Sequence, residues 1–112
     1  MDPLPIAPSC ALDEAGLRSQ YERYRQVGAG ARVVEWTSRR LEVALDERVD
    51  PRIVDELLAV ERECCPFFGL GWEPDTRRLT VSVSHPEHEH ALDAIAFALD
   101  LEAPAQHATS DR

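Results

Sequence analysis

Two adjacent cysteines and a proline, Cys64-Cys65-Pro66, follow a glutamate one helical turn earlier, Glu61, in this sequence of 112 residues. Thiolates serve as nucleophiles, redox groups or ligands for soft ions, and a neighbouring carboxylate can orient them or supply an oxygen ligand. On a helix starting at Pro51, Glu61 lies three residues before Cys64 and four before Cys65, the spacings at which side chains share a face. Glu61 also interrupts the stripe Val54, Leu58, Cys65, which is otherwise apolar. Burying an unpaired carboxylate is costly, so a cation or a hydrogen-bond donor is expected beside it. Pro66 cannot continue the helix and pushes the residue before it out of the α region. Cys65 is therefore expected at the helix end, with Phe67 and Phe68 walling one side.

That position discriminates between kinds of thiol chemistry. Reactive cysteines usually sit at helix N-termini or beside cations, where the thiolate is stabilised. Here the negative helix C-terminus is reinforced by Glu61 and Glu63, so free thiols are expected to stay protonated near neutral pH. A soft cation reverses the balance, because it gains from the dipole, the carboxylates and the thiolates together. The sequence thus points to a small binding protein for a thiophilic metal or metalloid, Hg(II), As(III), Cu(I) or Zn(II), used for sequestration, transfer or sensing. Cys64 and Cys65 are the expected ligands, with Cys10 a third and Glu61 a ligand or an orienting group.

Three alternatives stand beside it. One is a thiol-dependent oxidoreductase or transferase in which Cys65 attacks and Cys64 resolves. Another is a metal-free protein-interaction domain docking through an open sheet face. In the third, the cysteines simply fill space as small hydrophobes. Two CxxC knuckles, a stronger metal signature, are lacking. His85, His88 and His90 do not converge on an expected helix and read as surface, while Arg39-Arg40 and Arg77-Arg78 flank solvated turns.

Composition narrows the partners. The net charge of −9 disfavours nucleic acid, which relies on basic residues to neutralise phosphates, and likewise an anionic membrane surface. All 12 basic residues are arginine, so Schiff-base catalysis and a phosphate-loop lysine are excluded. No apolar run approaches the roughly 18 residues of a membrane span, and the start Met1-Asp2-Pro3-Leu4 does not read as a signal peptide. A cytoplasmic location is expected. Three cysteines, an odd number with two adjacent, do not make a disulfide framework.

The elements that position this chemistry follow from periodicity. Residues 1–12, with Pro3, Pro5 and Pro8, read as an extended arm, 13–101 as a single α+β domain and 102–112 as a flexible tail. Asp13 is the expected N-cap of a helix running to about Val27, with Leu17, Tyr21 and Tyr24 on its stripe and Leu12 stapled to Leu17. Arg39 to Leu45 then matches Arg77 to Val83 at an offset of 38 (77 − 39), and both segments alternate apolar and polar residues. Each follows a strand candidate ending in tryptophan, Arg32 to Trp36 and Phe68 to Trp72. Each also precedes a helix, one capped by Asp50-Pro51, the other starting near Ser84-His85-Pro86. The fold class is therefore α+β: an N-terminal helix and two ββα repeats, giving a four-stranded, mostly antiparallel sheet with helices on one face. The other face carries Glu42, Ala44, Thr80 and Ser82 and is wet, lightly covered by the first helix, or used by a homodimer.

The Cys-x-Leu start at Cys10-Ala11-Leu12 and the motif Glu61-Arg62-Glu63-Cys64-Cys65-Pro66-Phe67 together resemble a group of small bacterial proteins, mostly of unassigned function. The resemblance covers Cys10 to Leu99. It implies an association with heavy-metal resistance and brings Cys10 to the proposed site, with no catalytic residues.

Overall fold

The computed structural model describes residues 13–101, so the expected arm and tail, Cys10 and Leu12 lie outside the described residues. The order is α1 (Glu14–Ala29), β1 (Ala31–Trp36), β2 (Arg40–Leu45), α2 (Pro51–Cys64), β3 (Gly69–Glu73), β4 (Arg78–Ser82) and α3 (Glu89–Ala98), the last preceded by a 3₁₀ turn, Pro86–His88. All four strands join one sheet in the order β1-β2-β4-β3, antiparallel throughout. Among the described residues no helix is long and apolar enough to cross a membrane.

The helices begin where local chemistry starts them. Asp13 accepts a hydrogen bond from the Gly16 amide at 2.8 Å, and Asp50 accepts one from the Arg52 amide at 2.9 Å ahead of Pro51. Each removes one orphan donor from a first turn. α1 runs two residues beyond Val27, to Ala29, because Gly28 can face the end of α3 without a side chain.

Strand alternation sorts the sheet into two faces. Leu41, Val43 and Leu45 of β2 and Leu79 and Val81 of β4 are buried beneath Val54, Leu57 and Leu58 of α2 and Leu92, Ile95 and Ala96 of α3. Each fully buried aliphatic side chain of this kind contributes about 1.5–3 kcal/mol. α1 lies on α2 and α3 and adds Gln20, Tyr24 and Val27 to the interior. Its buried stripe is thus rotated from Leu17-Tyr21-Tyr24, since Leu17 and Tyr21 are only half-buried. In α3 Ala96 is buried and Phe97 is exposed at 61%.

The other face of the sheet is ionic. Glu35 and Glu42 are cross-strand partners in β1 and β2, and their like charges are separated by arginine. Arg40 reaches Glu35 at 3.0 Å and Glu42 at 3.3 Å, while Arg78 donates to the other oxygen of Glu42 at 2.7 Å. The inner strands pair as Leu41↔Val81, Glu42↔Thr80 and Val43↔Leu79, so residues 38 apart in sequence (79 − 41, 80 − 42, 81 − 43) exchange places about the central pair.

The turn arginines are not merely solvated. The Arg77 side chain donates to the carbonyls of Leu45 (3.1 Å), Asp46 (2.7 Å) and Val49 (2.6 Å), fixing the loop into α2. Arg39 does the equivalent for the loop into α3, donating to the Ser84 carbonyl at 3.2 Å and pairing with Glu89 at 3.0 Å. Backbone bonds follow the same exchange: the Leu45 amide donates to the Arg77 carbonyl and the Val83 amide to that of Arg39, each at 2.9 Å.

Candidate functional site

α2 ends as its sequence requires. Cys64 is the last helical residue, and the Cys65 amide still donates to the Glu61 carbonyl at 2.7 Å. Cys65 itself adopts φ −133° and ψ 74°, outside the α region as a residue before proline should be. The Phe68 amide then donates to the Cys65 carbonyl at 3.1 Å, closing a tight corner around Pro66 and Phe67. The corner turns the Cys65 side chain inward, where it has no exposed surface.

Glu61 and Cys65 are brought together in the interior. Glu61 is only 2% exposed, and its Oε2 accepts from Gln20 Nε2 at 3.1 Å. The same Gln20 nitrogen donates to the Leu57 carbonyl at 3.0 Å, and Gln20 Oε1 accepts from Arg23 at 2.8 Å. Arginine can only donate, so the amide of Gln20 can be oriented in one way. A polar thread thus runs between α1 and α2, from the Arg23–Glu56 ion pair (3.4 Å) inward to Glu61.

The carboxylate governs its neighbours. Burial raises the Cys65 thiol to about 12, with further contributions from the charge of Glu61 and hydrogen bonding to it. The Tyr24 hydroxyl is raised well above its ordinary value by burial, then by the charge of Glu61, hydrogen bonding to it, and the charge of Cys65. Both groups lie within reach of the carboxylate, yet no donor completes an aligned bond to Oε1, which is buried and unpartnered. Such an acceptor ordinarily finds a donor, a water or an ion.

The other expected site residues are placed differently. Cys64 is half-buried at the margin of the core and is disulfide-bonded. The expected free thiol at Cys64 is thereby corrected, while Cys65 is free. Cys10 lies outside the described residues. Among the described residues, no three of His, Cys, Asp and Glu converge as a metal site, so Glu61 and Cys65 offer one oxygen and one sulfur between them.

The histidines join the corner by packing. The His88 ring stacks on Phe67 at 4.1 Å between centroids, tilted by only 16°, and His85 lies edge-on to His88 at 5.9 Å. His88 Nδ1 is buried without a partner, while His90 is exposed. A shallow cleft lined by Gln26, Ala29, Val49 and Ile53 lies at the opposite end of α2 from the corner.

Sequence reasoning missed Gln20. A glutamine on a charged amphipathic helix reads as surface, and only its place on the stripe with Tyr24 and Val27 marks it as buried.

Fold and site together define an α+β domain with a buried thiol–carboxylate corner. Compared with known proteins, the chain matches no family model, no curated protein and no solved structure.

Proposed function

We propose that the chain binds a thiophilic ion at the Cys64–Cys65–Pro66 corner in a cytoplasmic setting, for sequestration, transfer or sensing. The observation that carries this reading is the buried, unpartnered Oε1 of Glu61 beside the sealed thiol of Cys65. A cation there would give the buried oxygen a partner in exchange for the thiol proton. Cys65 and Glu61 supply one sulfur and one oxygen. Cys64 supplies a second sulfur once reduced, and Cys10 is the candidate third. The rival thiol enzyme fares worse at Cys65, because a sealed group with a pKa of about 12 offers almost no thiolate to attack a substrate at neutral pH.

The test is calorimetric titration of Hg(II), As(III) and Zn(II) into oxidised and reduced wild type, then into Cys10→Ser, Cys64→Ser, Cys65→Ser and Glu61→Gln. Binding is expected only to the reduced protein. It should be abolished in the Cys64 and Cys65 variants, weakened in the Cys10 variant and altered in affinity in Glu61→Gln. Equal, weak binding across the whole set would sink the proposal.

A further inference from the structure

Cys64 enters a disulfide while its neighbour Cys65 stays free, so the bridge is not made between the two adjacent sulfurs. The chain holds three cysteines, and the one that remains is Cys10. Cys10 lies outside the described residues, three positions before Asp13, the N-cap of α1. The packing of α1 on α2 puts that cap near Cys64. Gln20 bonds the Leu57 carbonyl and Glu61, Arg23 pairs with Glu56, and Gln26 shares a cleft with Ile53. As α1 advances its partners on α2 recede, so the two helices are antiparallel and the end of α2 lies beside the start of α1. At about 1.5 Å per helical residue, Cys64 stands level with Leu17, about 6 Å along the axis from Asp13. Three residues of extended chain span up to about 10 Å, and a disulfide joins Cα atoms about 5.5–6 Å apart. A return from Asp13 to Cys64 is within that reach.

We propose that Cys10 and Cys64 form an intrachain bridge that acts as a redox-responsive latch, tying the segment before α1 to the corner at the end of α2. The latch needs no metal and stands apart from the ion reading. It closes a ring of 54 positions (64 − 10), a long loop whose closure restricts the unfolded chain. In reducing compartments such bridges are usually transient and serve catalysis or redox sensing. A dithiol opens the latch: its thiolate attacks one sulfur, the S–S bond breaks, and the departing protein sulfur takes up a proton. The second thiol of the reagent then displaces the other protein sulfur, which is protonated in turn, and the reagent leaves as a cyclic disulfide. Cys65 is the neighbouring thiol that could otherwise scramble the pairing. Exchange needs a thiolate with access to the bridge. Cys65 has no exposed surface and its thiol is pushed up to about 12, so it is withheld from attack.

The experiment blocks free thiols of the air-oxidised full chain with N-ethylmaleimide in mildly acidic denaturant, without reduction, and maps the peptides, with fragmentation resolving Cys64 from Cys65. One blocked thiol, at Cys65, and a peptide pair linked through Cys10 and Cys64 are expected in a monomer. Thermal melts follow with and without dithiothreitol for wild type, Cys10→Ser and Cys64→Ser. Reduction should lower the wild-type melting temperature by on the order of 10 °C and leave both variants unchanged. Cys10→Ser alters no described residue, so it keeps the question decidable if Cys64→Ser fails to fold. Three blocked thiols, a bridge reaching Cys65, or a bridge between two chains would each overturn the pairing. A wild-type melting temperature that reduction leaves unchanged would overturn the latch even with the pairing in place.

Discussion

Cys65 has no exposed surface, and burial followed by the charge of Glu61 pushes its thiol from the ordinary 9.0 up to about 12. In the native metal-free protein it should therefore resist alkylation near neutral pH and react only when the chain unfolds, which timed iodoacetamide labelling with and without denaturant will show. The shift also fixes a pH dependence. Between the unfolded pKa and the raised folded one, the unfolded chain has lost a proton that the native state retains. Stability is thus fully present below about pH 9 and falls as pH rises towards 12, at up to about 1.4 kcal/mol per pH unit. Tyr24 is shifted in the same direction and adds to the loss. Denaturant titrations at several alkaline pH values should show a shallower decline in Cys65→Ala than in wild type. Glu61 announced itself in the sequence as a carboxylate on an apolar stripe. Its partner did not, because Gln20 lies 41 residues away and nothing local ties the two.

Individual elements make sharper claims on stability. A Cβ on Gly28 would stand 1.9 Å from the Leu99 carbonyl oxygen, so α1 can lie against the end of α3 only where a side chain is missing. Gly28→Ala should cost at least about 1–3 kcal/mol by overpacking a contact made of backbone. At Gly71 the added methyl would meet only the Thr80 Cβ at 3.8 Å, an ordinary contact, and Gly71→Ala should be tolerated. Thermal melts of the two variants provide the comparison. The elements themselves were legible because capping and alternation are local: Asp13, Asp50 and Pro51 start helices, and Leu41, Val43 and Leu45 face one way. The rotation of α1 was not legible, since it depends on which neighbours complete the interior. The reach of Arg77 was hidden for the same reason, its carbonyl partners lying 28 to 32 residues away.

At the scale of the whole molecule, one face of the sheet is committed to the helices and the other to ion pairs. Glu42 holds Arg40 and Arg78 together beside Thr80 and Ser82. Partly exposed pairs of this kind are each worth no more than about 1 kcal/mol. Glu42→Gln should therefore shift the melting temperature little, a measurement that separates this face from the interior, where Glu61→Gln disturbs a buried network. The first ββα unit was readable from its alternation, but the bonds that join it to the second were not.

Those bonds have a consequence for cooperativity. Arg77, in the second hairpin, fastens the loop that leads into α2, and Arg39, in the first, fastens the loop that leads into α3. Each half of the chain thus carries the other's fastening, and neither can come apart while leaving its counterpart intact. The domain should unfold as a single unit, with calorimetric and van't Hoff enthalpies in agreement. Removing the Arg77 fastening should lower the one midpoint rather than create a second, because a half released from its partner has lost the bonds that would let it persist alone.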